Sequence, residues 1–514
     1  MNTLDRRVPR RLLVTLHLGE VPEHMPAWRA TTHYGVAPAE HIDGGIIDRL
    51  LRDHGGAFRC ARVHSARLPR TTAVSGARRF DHVEQLSGVA RVLRIEVQQD
   101  QALHDLVQAL RQVPTVERAL CEHLSFAPLD VETFNPVAAA AAAGAASKSA
   151  LAYDPAEAWG PRELIRLPQA LGYTQGDAAV IVGLVDTGVM ARHAALPPSA
   201  LRRGFDTVDL DPSAMGGLEL VGDSRGRDRD PGDDVGHGTG CAGILRADGL
   251  DLPPGAAGLC SLLPVRVLAA AVAGGRRVGV GSIANIDAGM KRLIDLGVKV
   301  INMSFGTAES QLPPGGALPH LEVVRYALAR GVILVAASGN SGLTERYFPA
   351  AHDGVIAVGA VNTRGEPSRF STRGEHVALC APGEGIWTCG LDESGTGLQR
   401  ASGTSFAAPF VSGACALLAA RADARAWPLN GSNARALLMG SCRAHLRADT
   451  VGCGAGVLDI WAALRDLEDS MDADETDDDA PGDATTPSPP GATAPGQLSQ
   501  PIGRGPLPPT KETP

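Results

Sequence analysis

The chain has 514 residues, of which 44% are hydrophobic, 20% charged and only 4% aromatic, giving room for two or three domains with aliphatic cores. Its formal net charge of −9 resides in residues 466–479, which hold nine acidic and no basic residues, so residues 1–465 are formally neutral. That balance gives no reason to expect a nucleic-acid or membrane-surface partner, and no stretch approaches the roughly 18 apolar residues of a membrane span.

Read in chain order, the basic start (MNTLDRRVPRR) precedes an apolar run broken by Thr15 and His17, shorter than the roughly 7–15 apolar residues of a secretory signal. The expectation is a cytoplasmic protein, with secretion by a non-standard route left open. Val14 to Leu18 alternate like a strand. Residues 91–99 (RVLRIEVQQ) and 116–123 (VERALCEH) also read as strands. Between them, 102–113 is an amphipathic helix with Leu103, Leu106, Val107 and Leu110 on one face. Residues 1–130 therefore form a small α+β N-terminal domain. Residues 131–152, alanine-rich and lacking an apolar stripe, read as a linker.

From 153 to 465, continuous apolar runs alternate with helical patterns. The runs 178–186, 298–305, 331–338 and 354–361 suit strands covered on both faces, and 282–297 and 320–331 suit the helices between them. This alternation predicts an α/β domain, a doubly wound and mainly parallel sheet flanked by helices. Residues 466–514, acidic and then proline-rich, are expected to be a disordered tail. The nine cysteines show neither CxxC pairs nor zinc-ligand spacing and are expected to be reduced and mostly buried. The odd count leaves at least one thiol free, and pairing of Cys442 with Cys453 stays open.

Three segments carry chemistry. Asp186 ends an apolar strand, where sites form in α/β sheets. His237 stands in Gly236-His237-Gly238-Thr239-Gly240, with glycines leaving the imidazole unobstructed. Ser405 begins a helical run, since Pro409 fits only near a first turn, which sets the hydroxyl at the positive end of the helix dipole. Singly, each has an ordinary explanation as a turn cap, a surface histidine or an N-cap serine. Together, in the order Asp, His, Ser, they have the residue types of a hydrolytic triad.

These segments resemble those of the subtilisin family of serine endopeptidases, and the resemblance covers 153–465. It implies serine endopeptidase activity through Asp186, His237 and Ser405 by way of an acyl-enzyme, with Asn340 as the oxyanion donor. It further implies an extended polypeptide substrate held between Gly279-Val280-Gly281 and Ser304-Phe305-Gly306. A rival from another class, a catalytically silent peptide-binding module with the same fold, is disfavoured by the intact Asp186, His237, Ser405 and Asn340. An acid-acting relative would need a glutamate where His237 stands. Gly240 departs from the family, many of whose members carry a second histidine there, and Cys241 follows it. Segment 91–123 is similar to the C-terminal part of the family's inhibitory propeptide, so the chain's own N-terminal region is a candidate intramolecular inhibitor, cut in the linker or just before it. No cofactor is required. Structural calcium, common in the family, is left without a ligand set: the aspartates of 206–211 and 228–234 read as turn residues, and no metal ligand is assigned.

Overall fold

The structure, a computed structural model, describes residues 6–67, 79–127 and 153–478, apart from positions 213–214, 216–217, 226–229, 274, 314–315 and 446–449. The expected linker and the proline-rich part of the tail lie outside the described residues.

The N-terminal elements are β1 (Arg7–Leu16), α1 (Trp28–Tyr34), α2 (Ile46–Gly55), β2 (Phe58–Arg62), α3 (His82–Ser87), β3 (Val92–Val97), α4 (Leu103–Leu110) and β4 (Val116–Phe126). Their strands pair antiparallel in the order β2-β3-β1-β4. Because side chains alternate along a strand, Leu12, Val14, Leu93 and Ile95 face one way, against Leu103, Leu106, Val107 and Leu110 of α4 and Ile47 and Leu51 of α2. The four α4 positions picked out by periodicity are all buried.

The larger domain follows with α5 (Pro155–Leu164), α6 (Leu167–Tyr173), β5 (Ile181–Asp186), β6 (Phe205–Asp206), β7 (Glu219–Val221), α7 (His237–Arg246), β8 (Ser261–Arg266), β9 (Ala269–Ala273), β10 (Arg276–Ser282) and α8 (Ile283–Leu296). It continues through β11 (Val300–Met303), β12 (Thr307–Ala308), α9 (Leu321–Ala329), β13 (Ile333–Ala337), β14 (Tyr347–Phe348), β15 (Val355–Val361), β16 (Val377–Pro382), β17 (Ile386–Cys389) and β18 (Leu398–Ala401). The last helices are α10 (Thr404–Ala424), α11 (Gly431–Gly440) and α12 (Ile460–Asp478). Seven strands form an all-parallel sheet in the order β16-β15-β13-β11-β5-β8-β6. The expected doubly wound fold is present. Val182, Leu184, Val300, Val335 and Val358 face α7 and α10, while Val185, Ile301, Leu334 and Ala357 face α8 and α9. Strands β8 and β16 were not among the predicted elements; both contain proline, which the sequence reading treats as punctuation.

A second seven-stranded sheet, β2-β3-β1-β4-β10-β9-β7, crosses from one domain into the other because β4 pairs with β10. The helix-free face of the N-terminal sheet lies on α8: Leu13, Val63, Val92 and Leu120 pack with Ile283 and Ala284. Residues 1–471 accordingly form one compact unit.

Two expectations change. The helix α12 runs past Asp466, where the tail was expected to begin, because Leu464, Leu467 and Met471 continue a buried stripe and Glu468 bonds Arg421 and Arg425. No stretch was expected to approach a membrane span, yet among the described residues helix α10 is long and apolar enough to cross one; it is buried as the core helix against the sheet. All nine cysteines, Cys442 and Cys453 included, are free, and eight are buried.

Candidate active site

Asp186 ends β5 at the carboxyl edge of the sheet and is wholly buried. Its Oδ1 takes the Thr187 N–H at 2.7 Å and lies 2.7 Å from His237 Nδ1. Such a contact holds an imidazole in one tautomer and one orientation. The approach depends on Gly238, where a Cβ would stand 2.1 Å from the Gly188 carbonyl oxygen and 3.1 Å from Asp186 Oδ1.

The two segments are tied together by Asp233, a residue the sequence reading passed over as one of several loop aspartates. One carboxylate oxygen accepts from Thr187 Oγ1 (2.9 Å) and from the Val235 and Gly236 N–H groups. The other accepts from the Thr239 N–H (2.9 Å) and Oγ1 (2.7 Å). Thr187 Oγ1 in turn accepts from the Gly238 N–H. The spacing of Asp233 ahead of His237, at the entrance to α7, was the available signal.

Helix α10 starts at Thr404, so Ser405 lies in its first turn and is buried. Pro409 is not in the first turn, as expected, but in the second, where its missing N–H leaves the Ser405 carbonyl without its helical partner. That carbonyl is instead taken by Ser304 Oγ at 2.8 Å and Cys241 Sγ at 3.4 Å. Asn302 Nδ2 bonds Ser304 Oγ (2.9 Å), and Asn302 Oδ1 receives Ser412 Oγ (2.9 Å). The proline thus opens a socket that fastens the serine turn to the end of β11. The Ser405 hydroxyl donates to the Ser304 carbonyl at 3.3 Å.

Asn340 follows β13. Its Oδ1 accepts both the Thr404 N–H and Thr404 Oγ1 at 2.9 Å, which turns Nδ2, the donor end, away from Thr404. Cys241 is fully buried, and burial followed by the Asp186 charge pushes its thiol well above the ordinary value. Among the described residues, one trio lies close enough to share a metal, and it is Asp186, His237 and Cys241 themselves. At Gly240 a Cβ would meet Gln399 Nε2 at 2.6 Å and Phe406 Cε1 at 3.1 Å, so the β17–β18 hairpin fills the space a larger residue would need. The buried carboxylate of Asp206 bonds Arg266; burial pushes it up to about 6 despite that partner.

The two predicted edges lie on either side of an extended piece of this same chain. Val280, Gly281 and Ser282 pair antiparallel with Phe126, Ser125 and Leu124, and Gly279 O accepts the Ala127 N–H at 3.1 Å. Opposite, Gly306 donates to Phe126 O at 3.0 Å and accepts its N–H at 3.4 Å. The Phe305 ring is buried against His320, so that residue offers the cleft its backbone. Val280 is buried with Leu124 and Phe126.

Charges fasten the rest of the N-terminal domain. Glu322 accepts Thr15 Oγ1 (2.8 Å) and pairs with Arg118; Lys291 pairs with Glu84; Arg94, itself paired with Glu122, reaches Asn285.

The sequence profile of the subtilase family matches residues 177–469. The chain is 33% identical over 265 residues to thermitase of Thermoactinomyces vulgaris, covering 51% of this chain and 82% of that protein. It is 32% identical over 305 residues to subtilisin DY of Bacillus licheniformis, covering 58% and 94%. The major intracellular serine protease of Bacillus subtilis is 37% identical over 231 residues, covering 43% and 67%. A solved protease structure from Pseudoalteromonas arctica shares the fold, with a TM-score of 0.51 at 24% identity, covering 61% of this chain and 97% of that one.

Proposed function

The chain belongs to the subtilase family and is a serine-type endopeptidase, and on that premise we propose that it cuts extended polypeptides through Asp186, His237 and Ser405 by way of an acyl-enzyme, with its N-terminal domain as an intramolecular inhibitor. His237 takes the Ser405 proton as Oγ attacks the scissile carbonyl carbon. Asp186 holds the imidazole and stabilises its charged form. Asn340 Nδ2 and the Ser405 N–H meet the oxyanion. His237 then protonates the leaving amine, and water repeats the sequence on the acyl-enzyme.

The observation that carries this reading is the 2.7 Å contact between Asp186 and His237 at the mouth of a cleft whose two edges are already paired with an extended peptide. That peptide, residues 124–127, belongs to the N-terminal domain, which supports the inhibitor role. The nine free thiols support a working place in a reducing compartment. A fluorophosphonate probe tests the proposal: Ser405 should be labelled slowly in the intact chain and quickly once the linker has been cut and the N-terminal domain released. No labelling of Ser405 in the released enzyme would refute it.

A further inference from the structure

Side chains alternate along an extended strand. Leu124 and Phe126 of the bound segment join the apolar cluster around Val280, so Ser125 between them, paired with Gly281, turns the other way. Its hydroxyl there meets two side chains of the larger domain, Thr307 Oγ1 at 2.9 Å and His320 Nε2 at 3.4 Å. The other ring nitrogen of His320, Nδ1, lies 2.5 Å from Asp287 Oδ1. Ser125, Thr307 and His320 are wholly buried, and Asp287 is nearly so. Asp287 comes from α8, Thr307 from β12 and His320 from the position just before α9. None of the three belongs to the N-terminal domain, so this polar recess is a feature of the cleft and not of its occupant.

The recess has a definite chemical demand. A carboxylate at Nδ1 keeps the proton on that nitrogen and leaves Nε2 as an acceptor. The imidazole is held in this pose by the Phe305 ring, edge-on to it with centroids 5.8 Å apart. Its backbone is fixed in the left-handed region, with φ 65°. Thr307 Oγ1, beside it, can give or take a hydrogen bond. A side chain that satisfies both groups must donate to Nε2 and still exchange a bond with Thr307, and a small alcohol does so.

We infer, on the reading that residues 124–127 stand where substrate stands, that Asp287, His320 and Thr307 form a specificity pocket. It selects a serine or threonine in the polypeptide substrate, at the position that pairs with Gly281. Alanine at that position leaves Nε2 and Thr307 Oγ1 buried without their partner, which lowers kcat/KM about 10- to 100-fold. Leucine leaves the same groups unbonded and adds bulk to a filled recess. Aspartate or glutamate brings a second negative charge toward Asp287 and has no proton to give to Nε2. The pocket therefore discriminates by what it penalises as well as by what it bonds. The same chemistry anchors the N-terminal domain, whose Ser125 presents the preferred group.

The test folds the full chain, cuts it in the linker and sequences the products it makes from a randomised peptide library. One substrate position should be enriched in serine, with threonine next, about 10- to 100-fold over alanine, and depleted of leucine, aspartate and glutamate. Thr307→Val and His320→Gln should each lower the serine-to-alanine ratio at that same position while other positions keep their preferences. Two variants are used because His320→Gln also disturbs a buried partner of Asp287. In the uncut chain, Ser125→Ala should speed hydrolysis of an added peptide about tenfold, and Ser125→Thr should speed it much less. A library without hydroxyl enrichment, or an enrichment that survives both pocket variants, overturns the inference. An uncut wild-type chain as active on the peptide as the cut one removes the inhibitor reading on which the inference rests. If the cut chain hydrolyses nothing, the inference and the enzyme reading fall together.

Discussion

The site and the segment that occupies its cleft are held by different physics. On the proposed catalytic side, Asp186, His237 and Ser405 are fixed by short bonds to backbone and small polar side chains: the half-buried Asp233 across two loops, and Ser304 into the socket opened by Pro409. On the occupying side, the N-terminal domain is held by a few backbone pairs, by the apolar face on α8 and by charges carried on long side chains, Arg118 to Glu322 and Lys291 to Glu84. Backbone bonds inside a packed core form once, on folding. Ion pairs that join elements of two domains depend on both partners being present and charged, and losing one partner of a buried pair is costly. The contrast fits the proposal of a permanent site with a removable occupant.

The strongest way to break the comparison is Ser405→Ala. Peptide hydrolysis by the linker-cut enzyme should fall about a millionfold, the size known for the corresponding loss in subtilisin, a relative, while the circular dichroism spectrum is unchanged. Asn340→Ala should lower kcat by roughly 100- to 1000-fold, again the subtilisin magnitude, with KM little altered in steady-state assays. On the occupying side, Glu322→Gln leaves Arg118 without its charge partner. Hydrolysis of added peptide by the uncut chain should rise roughly 10- to 100-fold. Ser304→Ala leaves the Ser405 carbonyl with only the weak Cys241 donor and should cost about 1–3 kcal/mol in urea unfolding.

The smallest effect is a pH slope. Burial at the domain junction, and then the Lys291 charge, push His64 down to about 3. A histidine held neutral in the folded state contributes its full stability above its ordinary value of about 6.5 and loses it as pH falls from there toward 3. Urea midpoints should therefore decline between pH 7.5 and 5, and His64→Gln should flatten that decline.

Much of the larger domain was legible because burial on both faces of a parallel sheet leaves continuous apolar runs, and four of its seven strands announced themselves that way. Strands β8 and β16 did not, since Pro264 and Pro382 break the pattern while their neighbours still pair. The local settings of the proposed triad residues were legible, since a strand end, a glycine-flanked turn and a helix start are what short sequence windows record. The cross-links made by Asp233, Asn302 and Ser304 were not, since Thr187, Ser412 and Ser405, to which they tie the site, lie on segments remote in sequence.

The sequence by itself determined the fold class and the residues proposed to react. Only the tertiary structure decided what occupies the cleft. Which strand edge is left open, and which distant segment has the register to fill it, depends on how β4 meets β10 across two domains, and no local pattern encodes that meeting. The same holds for Pro409: the sequence reading placed it near the first turn, and only the structure reveals that it falls in the second and that Ser304 and Cys241 take the carbonyl it leaves unbonded.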